Sequence, residues 1–169
     1  MIERPFEIKA PVAWLPAGLI SWYASDGLPV SLVTSWIALV GGDSPRIRTA
    51  WHGHHDPESR FWIGGDFVLN VPHEKDLDKI RGVMRQGRLC LNAEIDLGYG
   101  CVSGVTAVAP RLLDCAVQIE CAGGKLVDAG FDAELCGDVV RMHRDQVAID
   151  PIDIPDLCAI NPLSVLKVS

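Results

Sequence analysis

LPVSLVTSWIALVGGDSPRIRTAWHGHHDPESRFWIGGDFVLNVP, residues 28–72, opens with a run rich in β-branched side chains, Val30 to Val33, and closes with another, Phe67 to Val71. Both read as buried strands, because branched side chains fit a pleated, packed surface. Between them Trp51, His52, His54, His55, Ser59, Arg60 and Trp62 interleave aromatic faces with imidazole, hydroxyl and guanidinium donors. Such a mixture suits a ligand that joins a flat ring to a phosphate group.

At 169 residues, 49% of them hydrophobic, the chain is one domain's worth, 1–169, and can bury a core without disulfide or metal staples. With 22 acidic against 15 basic side chains the formal net charge is -7, so a nucleic acid would on average be repelled. The longest nearly uncharged run, Leu28 to Gly42, is broken by Pro29 and Gly41. It falls short of the roughly 18 to 20 apolar residues that span a bilayer, so no membrane association is expected. Met1 to Pro11 lacks the basic-then-apolar order of a signal peptide, and the expected location is cytoplasmic. The six cysteines, at 90, 101, 115, 121, 136 and 158, form no CxxC pair and no zinc-ribbon spacing, so they read as reduced core thiols.

Outward from the opening stretch, Ala17 to Ala24 reads as a strand, and Ser25-Asp26-Gly27 as a hairpin turn into the Leu28 to Thr34 strand. Ile37 to Val40 either continues that strand or begins a new element, and Arg46 to Trp51 alternates as a third strand would. Asp56-Pro57-Glu58-Ser59 resembles the first turn of a short helix, with Asp56 as cap. After Pro72, Leu77, Ile80 and Met84 fall on one face of a helix with acids in its first turn and Arg85 and Gly87 at its end. Gly98 to Gly104 reads as a glycine-rich loop. Leu113, Cys115, Val117, Ile119 and Cys121 alternate with Asp114, Ala116, Gln118, Glu120 and Ala122, which predicts a half-buried strand. Two more strands are expected over Ala133 to Met142 and Gln146 to Ile149, followed by a Pro/Asp-rich tail, Asp150 to Asp156, and an apolar segment, Leu157 to Val168. About seven strands with one or two short helices predict a mainly β chain, closed or nearly closed into an antiparallel barrel.

Several chemistries are disfavoured. Gly98, Gly100 and Gly104 have one residue too many for GxGxxG, and neither GxxxxGK[ST] nor GxSxG occurs. His52-Gly53-His54-His55-Asp56 holds metal-ligand types, but it is neither HExxH nor HxHxDH, so no metal is expected. Those imidazoles, with Ser59 and Arg60 at a helix start, are better suited to phosphate oxygens. Thr34-Ser35-Trp36 ends an apolar strand with hydroxyls and backbone N–H groups that can pair with the edge of a heterocycle. Of Trp22, Trp36, Trp51 and Trp62, at most one is expected at a ligand ring and the others in the core.

PVSLVTSW, the loop through HGHHDPES, and GGDFVLNVP together resemble the N-terminal half of the flavin reductase-like, FMN-binding split-barrel family, which includes the flavoredoxins. Gly104 to Pro110 leading into DCAVQIEC, and then AELCGDVV, continue the likeness, which spans about residues 11 to 163. The resemblance implies an antiparallel split β-barrel, a homodimer, and FMN bound noncovalently near the dimer interface. It places Thr34, Ser35 and Trp36 at the flavin ring, and His52, His54, His55, Ser59 and Arg60 at ribityl and phosphate. The chain departs from the family at Val30, where asparagine is frequent, and at His55-Asp56-Pro57, which replaces an Arg-x-Thr pattern. It also lacks the usual C-terminal glycines and tyrosine after Asn161-Pro162-Leu163.

The expected function is an FMN-binding oxidoreductase moving electrons between NADH, NADPH or a redox partner and the flavin. Such chemistry needs rings held in place and no catalytic triad. A non-catalytic flavin-binding barrel and a metal-dependent hydrolase using the histidine loop are the alternatives.

Overall fold

A computed structural model describes residues 12–15, 18–34, 36–40, 44–52, 65–85, 90–128, 132–144 and 147–149. Twelve strands occur among these residues: β1 (Val12–Leu15), β2 (Gly18–Tyr23), β3 (Pro29–Thr34), β4 (Trp36–Val40), β5 (Arg46–His52), β6 (Phe67–Pro72), β7 (Cys90–Leu91), β8 (Cys101–Ser103), β9 (Pro110–Leu112), β10 (Cys115–Asp128), β11 (Asp132–Arg144) and β12 (Val147–Ile149). About seven were expected. The excess comes mainly from β1, β7, β8 and β9, pieces of two to four residues, too short to show a period of two in sequence. Ile37 to Val40 belongs to a new strand, β4, and does not continue β3.

Ten strands make one antiparallel sheet in the order β1-β4-β5-β11-β10-β6-β2-β3-β7, with β12 on β11, while β8 and β9 form a separate ribbon. In that order β4 and β3 stand six places apart, yet one residue separates Thr34 from Trp36 in sequence. Six strand spacings in a flat sheet come to roughly 29 Å, whereas two residues of chain reach at most about 7 Å. The sheet must therefore curl until β3 approaches β4 and β5. Thr34 Oγ1 indeed donates to the Ala50 carbonyl at 2.9 Å and lies 2.8 Å from Thr49 Oγ1, joining β3 to a strand five places away. The architecture is the mainly β, antiparallel split barrel that the sequence predicts, with two short helices.

Curling encloses a core of Ile20, Trp22, Ile37, Ile47, Phe67, Leu69 and Ile119, among others. Each such side chain contributes about 1.5–3 kcal/mol by leaving water. A second cluster, including Leu19, Val33, Ile80, Leu97, Tyr99 and Leu112, packs around helices α1 (Leu77–Arg85) and α2 (Ala93–Leu97). α1 is the predicted helix, and Ile80 is buried as its face requires. α2 is an element the sequence reading lacks. Asn92 caps it by accepting from the Glu94 and Ile95 amides at 3.1 and 3.2 Å, and Gly98, at φ 70°, ends it. The first glycine of the expected loop is thus a helix terminator. No helix among the described residues is long and apolar enough to cross a membrane.

β10 corrects one expectation. Cys115, Val117, Ile119 and Cys121 are buried as predicted, but Gln118 and Glu120 on the opposite face are also fully buried. The segment from 104 to 112 covers that face and supplies hydrogen-bond partners, so a polar face lies inside without exposure. Cys101, Cys115, Cys121 and Cys136 are free thiols, as expected; burial pushes Cys115 and Cys121 far above the usual thiol range. Cys90 is placed by its backbone alone, and Cys158 lies outside the described residues, as do the helical turn expected at 56–59 and the whole C-terminal segment.

A methyl group at Gly137 would collide with the edge of the Phe67 ring and come within 3.3 Å of Cys121 Cβ, in a part of the barrel packed from every side. Gly137→Ala is therefore expected to destabilise the fold by about 1–3 kcal/mol, the usual cost of overpacking. Urea denaturation measures it, with a lower midpoint at unchanged slope; an unchanged midpoint contradicts the packing described.

Candidate functional site

The corner where β3 hands over to β4 is the best-defined part of the predicted site. Thr34 ends β3, is 1% exposed, and gives its hydroxyl proton to the Ala50 carbonyl while facing Thr49 Oγ1. That hydroxyl is spent inside the protein, so Thr34 fixes the corner's position and leaves outward hydrogen bonding to backbone groups and to its neighbours. Trp36 opens β4 opposite Ala50, and His52 ends β5 opposite Asp132. For both, the structure places the backbone and not the side chain. Ser35, His54, His55, Ser59 and Arg60 lie outside the described residues.

The fold brings the Thr34 corner to the end of β5. Thr34 is bonded to Ala50, and Ala50 stands two residues before His52, where the histidine loop begins. Among the described residues no three side chains of His, Cys, Asp or Glu gather as a metal site would require. Of the four tryptophans considered as ring contacts, Trp22 is a core residue at 2% exposure.

A second polar cluster, which the sequence reading missed, lies where the 104–109 loop crosses β10. Glu120 accepts three consecutive backbone N–H groups: Val105 at 3.0 Å on Oε1, and Thr106 and Ala107 at 2.6 and 2.7 Å on Oε2. His143 Nε2 stands 2.6 Å from Oε1. Asp66 takes the next amide, Val108, at 2.8 Å. Gly104 is required here, because a Cβ would meet the Ala107 and Ala109 carbonyls. Arg111 Nε stands 3.8 Å from Glu120 Oε1, and Arg141 Nε donates to Thr106 Oγ1 at 2.7 Å. The uncharged loop reads as a plain connection, and Glu120 hides in the alternation of β10 as a surface residue. The one available signal was a carboxylate followed across a hairpin by a histidine in the neighbouring strand.

Burial alone would push the Glu120 carboxyl up, but the three amides and His143 outweigh it and hold it below the usual carboxylate range. Burial lowers the His143 imidazole, and the Arg111 and Arg141 charges lower it further, against the opposing pull of Glu120. Both shifts act in one direction. Each group binds protons more readily in the unfolded chain, so stability rises with pH through both ranges and is lost on acidification. Melting temperature is expected to fall as pH drops below about 6.5, where an unfolded histidine takes up a proton, and to fall again through the carboxylate range. His143→Gln should remove the first decline and leave the second. A wild-type profile flat between pH 7 and pH 5 contradicts this assignment.

No family model matches the sequence, and no curated protein matches it. Solved structures do resemble it. The 2-nitrobenzoate 2-nitroreductase of Pseudomonas fluorescens is 24% identical, with a TM-score of 0.63 over 80% of this chain and 66% of that one, so the chain spans about two thirds of that protein's length. Flavoredoxin of Desulfovibrio vulgaris (Miyazaki F) is 16% identical, with a TM-score of 0.66 over 92% of this chain and 84% of that one. A Shewanella frigidimarina protein described as a flavin reductase with a split barrel domain is 14% identical, with a TM-score of 0.64 over 88% of this chain and 76% of that one. At these identities the likeness is one of fold, and the chain has the flavin reductase-like split-barrel fold.

Proposed function

We propose that this protein is a flavin-dependent oxidoreductase that binds FMN noncovalently as a homodimer. The observation that carries the reading is the corner at Thr34, which the split barrel holds against the end of β5 from which the histidine loop departs. The donor types that the sequence supplies beside that corner and in the loop after β5 fit a phosphorylated flavin: backbone groups and the Ser35 hydroxyl for the ring edge, the Trp36 indole for a wall, and His52, His54, His55, Ser59 and Arg60 for ribityl and phosphate. Thr34 acts by holding the corner in place. Bound there, the flavin would supply hydride and electron transfer with NADH, NADPH or a protein redox partner, and the chain's own task is to position rings and exclude water. The fold shared with proteins described as a nitroreductase, a flavoredoxin and a flavin reductase supports this reading. The apolar segment Leu157 to Val168 supports the dimer, since so hydrophobic a stretch gains by being covered.

The purified protein is expected to be yellow, absorbing near ~450 nm as oxidised flavins do, to bleach anaerobically with NADH or NADPH, and to sediment as a dimer at micromolar concentration. Bleaching by dithionite and by neither nucleotide would leave a carrier or storage barrel. Failure to take up added flavin would remove the reading altogether.

If the histidine loop holds the phosphate, a dianion favours the imidazolium form, so FMN affinity should fall as pH rises through about 6.5 while riboflavin affinity changes little. Replacing His54 and His55 together by Ala should narrow the preference for FMN over riboflavin by about 1–3 kcal/mol. Titration calorimetry with both ligands measures this, and an unchanged preference places the phosphate elsewhere.

A further inference from the structure

We propose that Arg111 and Arg141, with the Thr106 hydroxyl, form a binding site for a phosphate group on the 103–109 loop. Each arginine is anchored by Nε, Arg111 at 3.5 Å from the Ser103 carbonyl and Arg141 at 2.7 Å from Thr106 Oγ1. Among the described residues neither forms a further hydrogen bond through the outer nitrogens of its fork. Arg46 and Arg48 differ, since they are committed to Asp138 and Glu134.

Glu120, the carboxylate beside them, has no need of them. Three amides and His143 occupy its oxygens, and Arg111 forms with it only a long ion pair, at 3.8 Å through Nε. Two guanidinium charges therefore lie beside one carboxylate whose oxygens are already engaged. Asp66, the other carboxylate on this loop, takes the Val108 amide at 2.8 Å and the Gly123 amide at 3.4 Å and pairs with neither arginine.

The amides of Val105 to Val108 are all spent on Glu120 and Asp66, so an external anion at this loop must be bound by side chains. Arg111, with a side chain only 12% exposed, is the stronger contributor, because a partly desolvated guanidinium attracts an anion more than one in bulk water. A carboxylate is satisfied by one guanidinium fork; two forks and a hydroxyl suit the larger set of oxygens on a phosphate. Free phosphate and the phosphate of a nucleotide share this chemistry. The site does not depend on the flavin reading.

Calorimetric titration of the full chain as purified, at constant ionic strength, with inorganic phosphate, ADP and adenosine, tests the site. Phosphate and ADP should bind and adenosine should not. ADP at least tenfold tighter than phosphate identifies a nucleotide, and equal affinities identify free phosphate. Arg111→Ala with Arg141→Ala should weaken both ligands at least tenfold. Arg111→Lys with Arg141→Lys, which keeps the charge and removes the forks, should weaken them severalfold and decides the matter where the alanine variant does not fold. Heat no greater than that of sodium chloride at equal ionic strength, or unchanged affinity in the lysine variant, overturns the proposal. Flavin absorbance followed in the same samples separates this outcome from the fate of the flavin site.

Discussion

One residue of chain joins β3 to β4, strands that stand six places apart in the sheet, and this covalent constraint forces the curl on which the rest depends. A flat sheet cannot satisfy it. Once the sheet rolls, the Thr34 hydroxyl finds the Ala50 carbonyl and Thr49, and a polar pair is buried at the seam with its hydrogen bonds made. The same curl encloses the barrel core, and within it Gly124 and Gly137 on the neighbouring strands leave room for the Phe67 ring, where any side chain would be in the way. Seam and core are consequences of one geometry.

Rolling the sheet leaves its outer surface to be covered, and the chain does this with polar chemistry as well as apolar. Asn70 shows the device on β6. Its amide nitrogen donates to the Leu19 carbonyl at 3.0 Å and to Ser21 Oγ at 2.8 Å, and its oxygen accepts from the Leu112 amide at 2.9 Å. Glu120 does the equivalent on β10 with the 104–109 loop. An unpaired buried carboxylate would cost several kcal/mol; with three amides and an imidazole it instead fixes a loop that has few side chains of its own to pack. Two atoms keep no partner among the described residues, Tyr99 Oη and Gln118 Oε1.

A barrel of this kind offers function at its seams and loops, because its strands are committed to the core. The corner at Thr34 is tied down by its buried hydroxyl, and a corner so held would orient the flat ring of the proposed flavin at little entropic cost. Arg111 on β9 and Arg141 on β11 are also preset, each side chain tethered by Nε with the outer nitrogens of its fork left open.

The strands Val30 to Val33 and Phe67 to Val71, the Ser25-Asp26-Gly27 turn and helix α1 are legible in sequence because each is specified by local pattern: branched runs, a turn glycine, and a period near 3.6 with acids at its start. The barrel class followed from the number of strands and the resemblance. Of the predicted site, the place of Thr34 at the end of a buried strand was legible in the branched run Val30 to Val33, whereas Ser35 and the loop after His52 lie outside the described residues. The fates of Glu120 and Gln118 were not legible. Alternation reports only that successive side chains point to opposite faces, and whether the second face meets water depends on a segment six to fifteen residues away in sequence folding back over it. Local sequence determined which of the longer segments form strands and that Thr34 ends one of them. Tertiary structure decided which polar side chains are buried, because hydrogen bonds between distant segments, and not the pattern of either segment alone, make that burial affordable.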